Sequence, residues 1–383
     1  MKHQLWKSPR LTRLELTSPR LIKRFALYFW PVLFAGCGDG SGGSTPPPPP
    51  PPATPALQHI LFVGDSFTHG RYSPVRPYNS GGTQNATIGS PLVFDENYGQ
   101  TGARAELEPG PWGGIPGIFA EFAVEVGLNY DVHIEAISET SLAKNFDAAS
   151  GVVAQSKWNA VVLQELSEKP LPSSLTMSSI SDPAAFCSSV QTIEQGVHSV
   201  ASSAKVYLYE TWPRADLAKT LAGDPTNPGF TGSYLSDLTS LGNANHNAYY
   251  SAALHDSEIA AIAPAGEAWQ SAWDQGVANP NPYTSSSTLP SLWYGINPVN
   301  NPSITSADYL HPSIYGAYLS GLVLFQQITG IDVRLLGGKE IAAQQLGIAS
   351  GVAVQLQQVA WQTVAQENSA PINQTADPCT LTN

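Results

Sequence analysis

The chain has 383 residues, of which 42% are hydrophobic and 13% charged, with three cysteines and a formal net charge of −12. This is enough apolar material for a sizeable core, and without residues 1–36 the balance falls further, to −18. A body that acidic lacks the basic footprint of a nucleic-acid or anionic-lipid binder, so a neutral small-molecule or glycan partner is expected. No Cys or His spacing signals a metal site, and no motif asks for a cofactor.

Residues 1–36 read as an export signal. Lys23-Arg24 precedes an apolar run at 25–34 that is too short to span a bilayer and ends in Ala35-Gly36-Cys37. Leu33-Phe34-Ala35-Gly36-Cys37 resembles a bacterial lipobox, which implies acylation of Cys37 and a place in the cell envelope, at the outer membrane or its periplasmic face. Plain secretion is the alternative. Residues 37–56 form a tether, a Gly/Ser segment followed by prolines 46–52, which favour an extended helix of about 3.1 Å per residue. The only membrane contact expected is through this N-terminal anchor.

The folded part begins with Ile60-Leu61-Phe62-Val63, an apolar run that reads as a strand buried on both faces. Gly64-Asp65-Ser66 ends it and puts a serine on the turn. In open α/β sheets, sites lie beyond the carboxyl ends of strands, so Ser66 is placed to meet a substrate. A polar stretch at 68–111, rich in Gly, Asn, Ser and Pro, is long enough to wall or cover a site. Ile118, Phe119, Phe122 and Val126 mark a helix closed by Gly127, and a strand at 130–137 follows. The next strand, 159–163, leads into Gln164-Glu165. Glu165 is expected to face outward, toward Lys169. Asp182-Pro183 opens a helix carrying Phe186, Val190, Ile193, Val197 and Val200. Strands at 205–209 and 258–263 complete five. This alternation argues for a mostly parallel, doubly wound sheet with helices on both faces.

Trp269 and Trp273, four residues apart, read as a packed helix face. Trp112, Trp212 and Trp293 follow Gly-, Pro- or Ser-rich loops and are the candidates for lining a substrate site. Ser306-Ala307-Asp308-Tyr309-Leu310-His311-Pro312 then offers an acid and a base three residues apart. A serine hydroxyl needs a base to take its proton, and an imidazole does so best when a carboxylate fixes its tautomer. Beyond it, residues 314–328 form a buried helix closed by Gly330. Val352, Leu356, Val359 and Val364 mark a last helix before a loose polar tail. Cys187 and Cys379 either pair or stand as separate thiols.

Together, Gly64-Asp65-Ser66 and Asp308-x-x-His311-Pro312 resemble the Gly-Asp-Ser (GDSL-type, SGNH) hydrolases, over roughly residues 60–330. The resemblance implies a flavodoxin-like, three-layer α/β/α sandwich on a five-stranded sheet. It also implies a serine esterase in which Ser66 is the nucleophile, His311 the base and Asp308 its orienting acid. The catalytic domain would occupy 57–330, with a C-terminal helix and polar tail (331–383) packed on it. Family members complete the oxyanion hole with a glycine after the second strand and an asparagine after the third. Here those places hold Ser138-Glu139-Thr140-Ser141 and Gln164, so a Thr140 or Ser141 amide and the Gln164 side chain are the candidate donors. Short-acyl or O-acetyl esters on glycans are the favoured substrates. The alternatives are a tethered, non-catalytic glycan-binding or envelope protein on this fold, and a polysaccharide O-acyltransferase.

Overall fold

The computed structural model describes residues 55–82, 90–226, 230–284, 287–295 and 308–380. The export signal, Cys37 and nearly all of the tether lie outside the described residues. Within the described chain six strands form one sheet: β1 Gln58–Gly64, β2 Val93–Asp95, β3 Tyr130–Ala136, β4 Ala160–Leu163, β5 Lys205–Glu210 and β6 Ile259–Pro264. All neighbours are parallel, in the order β2-β3-β1-β4-β5-β6. The sheet therefore has one strand more than the sequence pattern suggests. The extra one, β2, is three residues long inside the polar 68–111 stretch, too short to show a period. With this edge strand set aside, the order is that of flavodoxin-like sheets, with β1 at the point where the winding reverses.

Because β1 is central, its side chains alternate between two cores. Ile60 and Phe62 face one that includes Ile118, Phe119 and Phe122 of the helix Gly114–Glu125 and Leu322 of the helix Ile314–Thr329. Leu61 and Val63 face the other, with Leu142, Phe186, Val190 and Ile193 from the helices Leu142–Val153 and Pro183–His198. Three layers result, and the carboxyl end of β1 opens between β3 and β4. The helix Tyr234–His255 gives Leu241 to the first core and Tyr249 to the second. Its sequence signal is weak because buried polar residues, Asn245 and His246, interrupt the apolar stripe. Among the described residues no helix is long and apolar enough to cross a membrane.

The C-terminal helix Ser350–Ser369 packs on Ile314–Thr329. The tail beyond it is not loose. Asn247 Oδ1 accepts from the Thr375 N–H at 2.9 Å, His246 bonds the Ile372 carbonyl, and Cys379 is disulfide-bonded to Cys187 on the helix Pro183–His198. Polar composition concealed this, because the fastening is by hydrogen bonds and one covalent bond rather than by apolar burial.

Candidate active site

Asp65 caps the short helix Ser66–His69, its Oδ1 accepting from the Phe67 N–H at 2.8 Å. The cap fixes where Ser66 leaves β1. From across the sheet, Gln164 Oε1 accepts from the Asp65 N–H at 3.0 Å and from Thr68 Oγ1 at 2.7 Å, while its amide nitrogen donates to the Glu165 carbonyl. Gln164 therefore clamps the turn, and its side chain is spent there. Only a glycine at position 64 admits it: a Cβ on Gly64 would lie 2.5 Å from Gln164 Oε1 and 2.3 Å from Thr68 Oγ1.

Asp308, His311 and Ser66 meet in one line. His311 Nδ1 is 2.8 Å from Asp308 Oδ2, and His311 Nε2 is 2.8 Å from Ser66 Oγ. A ring nitrogen facing a carboxylate carries the proton, so Nδ1–H donates to Asp308 and Nε2 is left to accept from the Ser66 hydroxyl. The Leu310 and His311 N–H groups both donate to Asp308 Oδ1, at 2.8 and 3.0 Å, and Tyr72 Oη donates to Oδ2 at 2.6 Å. Burial pushes the Asp308 carboxyl up, but His311, Tyr72 and these N–H groups outweigh it and hold the group well below the usual carboxylate range. Burial and the hydrogen bond to Asp308 push the Tyr72 phenol up, so Tyr72 remains a donor.

The loop carrying Asp308 and His311 is fixed from behind. Tyr294 N–H donates to the His311 carbonyl at 2.7 Å and Trp212 Nε1 to the Leu310 carbonyl at 3.1 Å. Ser313 Oγ, two residues past His311, accepts from the Tyr315 and Gly316 N–H groups and caps the helix Ile314–Thr329. On the side of the Ser66–His69 helix, Ser138 donates to Glu108, so His69 Nε2–H donates to Ser138 Oγ at 2.9 Å. Burial depresses the His69 ring well below its usual value, and it stays neutral.

Ser66 is 4% exposed and opens onto a cavity of about 320 Å³. Phe67, Leu166, Ile180 and Leu310 give it apolar wall, while Arg71, Glu139, Glu168 and Arg214 give charge. The charges are paired at the rim: Arg214 with Glu168 and with Asp216 at 2.6 Å, and Arg71 with Glu108 at 3.2 Å and Glu139 at 3.6 Å. Asp65, at the cavity floor, is pushed up to about 7 by burial.

Several sequence expectations are corrected here. Gln164 does not line the cavity. Thr140 and Ser141 do not border the cavity either, and the Thr140 hydroxyl's bond to the Ser138 carbonyl at 3.2 Å leaves the main-chain amides expected as donors untouched. The residue of that loop in the cavity wall is Glu139, at φ 60°, a left-handed conformation that glycine adopts without strain. Glu165 does not face outward. It is fully buried, and its Oε1 accepts from the Leu142 and Leu166 N–H groups, while Lys169 pairs with Asp182. Trp112, Trp212 and Trp293 are buried and present no stacking face to the cavity. Trp212 lies between Phe67 and Trp269, at centroid distances of 4.6 and 4.3 Å, and Trp112 stacks on His69. Their loops fold back beneath the triad, so these rings support it. Trp269 and Trp273 are core, as their spacing suggests. Tyr72 was not visible as a site residue, because nothing local in the sequence links it to Asp308.

The fold is a three-layer α/β/α sandwich on a parallel sheet, and the order of its blocks, Gly64-Asp65-Ser66 after β1 and Asp308-x-x-His311 before the helix Ile314–Thr329, resembles that of the SGNH hydrolases. No family model and no curated protein matches the chain. Among solved structures it is similar to a DUF4886 family protein from Bacteroides uniformis, at 12% identity and TM-score 0.45, over 81% of this chain and 95% of that one. It is also similar to phospholipase A1 from Streptomyces albidoflavus, at 13% and 0.39 over 71% and 99%. A third is a carbohydrate acetylesterase from Sinorhizobium meliloti, at 14% and 0.35 over 71% and 99%. Similarity at this level says nothing about substrate.

Proposed function

We propose that the protein is a serine esterase acting on short-acyl esters, with acetyl groups on glycans as the favoured class. The observation that carries this is the unbroken hydrogen-bond line from Ser66 Oγ through His311 to Asp308 at the wall of a cavity. In this reading Ser66 Oγ attacks the ester carbonyl while His311 Nε2 takes its proton. Asp308 steadies the imidazolium, and the proton passes to the leaving alcohol as the tetrahedral intermediate collapses. Water, deprotonated in turn by His311, then releases the acid from the acyl-enzyme. The developing oxyanion is held by main-chain N–H groups of Ser66, first in its helix and without an intrahelical acceptor, and of Glu139 in the cavity wall.

Two features support a small acyl group on a polar alcohol. The cavity offers only four apolar side chains, Phe67, Leu166, Ile180 and Leu310, to an acyl group, and its rim is charged rather than apolar. Export and a lipid anchor at Cys37 belong to the same proposal. The Cys187–Cys379 disulfide supports an oxidising compartment.

The test is hydrolysis of p-nitrophenyl esters from acetyl to long acyl, and of acetylated oligosaccharides, by the chain and by Ser66→Ala and His311→Ala. Turnover falling at least about 10³-fold in both variants, with rates highest at acetyl, is the expected result. A folded wild type that binds sugars but turns over no ester would instead select the non-catalytic alternative. Acyl transfer to an added sugar in preference to water would select the transferase.

A further inference from the structure

A second cluster of chemically capable side chains lies away from the triad, behind the carboxyl end of β5. Glu210 ends that strand, His246 comes from the helix Tyr234–His255, Glu267 from the helix Ala265–Asp274, and Glu367 from the helix Ser350–Ser369. Donor atoms of Glu210, His246 and Glu267 all lie within 4.8 Å of one another. Beside them is a cavity of about 620 Å³ bordered by Glu267, Gln270, Asp274 and Glu367.

Three observations separate this cluster from an ordinary ion-pair network. Glu210 is 1% exposed, and neither of its carboxylate oxygens makes a well-formed hydrogen bond, although the Glu267 N–H lies near enough to favour its charged form. A buried carboxyl so placed must be neutralised by a proton or a cation. His246 has its tautomer arranged, with Nε2 3.0 Å from the Ile372 carbonyl, where it donates. Its Nδ1 faces Glu267 Oε1 at 3.0 Å without the alignment of a hydrogen bond. An imidazole that gives one N–H to a backbone carbonyl and turns the other nitrogen toward carboxylates is arranged as metal ligands are. By contrast, the imidazoles of His59 and His133 are already hydrogen-bonded to carboxylates, and of the buried atoms in that cluster only Asp131 Oδ1 lacks a partner among the described residues. Asp131 Oδ2 is 2.8 Å from His59 Nδ1 and 3.1 Å from His133 Nε2, and Glu96 Oε1 is 2.7 Å from His133 Nδ1.

We propose that Glu210, Glu267 and His246 Nδ1 bind a divalent transition-metal ion of the zinc type. Nitrogen and carboxylate donors hold zinc at about 2.0–2.2 Å, which spaces them about 3.3 Å apart around a tetrahedron. The His246–Glu267 separation is already close to that. Glu367 stands behind, its Oε2 accepting from Tyr250 Oη at 2.7 Å and from the Ile372 N–H at 3.2 Å. The ion would thus join the end of β5 to two helices and, through the Ile372 carbonyl, to the C-terminal tail. The site would have three protein ligands, with water from the adjoining cavity completing the tetrahedron.

The full-length chain, stripped with a chelator and titrated with zinc chloride, is expected to take up one equivalent. Its Tm should rise by about 5 °C at a zinc concentration 100-fold above Kd. Cobalt(II) should give a visible spectrum of mixed nitrogen and oxygen ligation with a single imidazole. Glu210→Gln and His246→Gln should each weaken zinc binding at least about 10-fold, whereas His59→Ala should keep it. No uptake by the wild type, or uptake lost in His59→Ala and kept in Glu210→Gln, overturns the proposal. The wild-type stoichiometry and cobalt spectrum decide the matter even where a variant fails to fold.

Discussion

Tyr72 Oη and His311 Nδ1 share one acceptor, Asp308 Oδ2, at 2.6 and 2.8 Å. The phenol also stacks on Tyr294 at 4.1 Å and meets the His311 ring edge-on at 5.8 Å, so it fixes both the carboxylate and the imidazole it serves. Tyr72→Phe keeps the ring and removes one charge-assisted hydrogen bond, worth roughly 1–2 kcal/mol. The expected result is a fall in kcat of about 5–20-fold on a p-nitrophenyl ester with KM little changed. Unchanged kinetics would mean that the two backbone N–H donors position Asp308 unaided.

Gly64→Ala places a methyl against the clamp that sets the Ser66 turn, since its Cβ would fall 2.3 Å from Thr68 Oγ1 and 2.5 Å from Gln164 Oε1. Either the clamp opens or β1 shifts. Both outcomes move Ser66 from His311, so kcat should drop at least about 10-fold and the melting temperature by several degrees. Gln164→Ala, which deletes the clamp without a clash, should reproduce much of the kinetic loss.

Burial raises Asp65 and Glu165 to about 7, and Glu340 likewise. Acids raised in the folded state contribute stability that is fully present below their unfolded values near pH 4 and is lost as pH climbs through about 7. Asp308 has the opposite sign, contributing above about pH 4 and losing that contribution as pH falls toward its depressed value. Stability measured by urea denaturation should therefore be greatest near pH 4–5 and decline toward pH 8. Glu165→Gln keeps the oxygen that accepts from Leu142 and Leu166, and should flatten that decline. Its gain at pH 8 should exceed its effect at pH 4, and equal effects at both would show that Glu165 does not titrate in this window.

The disulfide closes a loop across 192 residues of sequence and ties the tail to the helix Pro183–His198. Crosslinks over long loops typically contribute about 2–5 kcal/mol. Cys379→Ser, or reduction by dithiothreitol, should lower the melting temperature and expose residues 370–380 to proteolysis while the ester hydrolysis rate at 25 °C stays within about twofold.

The parts of the site that were legible in the sequence are those in which chemistry forces residue type at a fixed place in the chain. Gly64-Asp65-Ser66 follows a strand that could only be central, and Asp308 and His311 are close enough in sequence to meet on one loop. Gln164 was visible as an amide at the right strand end, but not as a clamp. Its task depends on an empty Cβ position 100 residues earlier. Trp112, Trp212 and Trp293 misled because loop composition suggests exposure, whereas loops that return beneath a site bury what they carry. Tyr72, the strand β2 and the tail attachments share another obstacle, since each is defined by a distant partner and leaves no local period to read.

The rings under the triad have an optical consequence. Phe67, next to Ser66, stacks on Trp212, which stacks on Trp269, and Trp269 in turn meets Trp273 and Trp293 edge-on. Four indoles in fixed mutual orientation make this corner the natural source of the near-ultraviolet circular dichroism of the molecule. That signal reports tertiary packing and vanishes when packing loosens. Ser66 thus sits on its own spectroscopic gauge, on which disorder at its turn would register while the helices behind it remained intact.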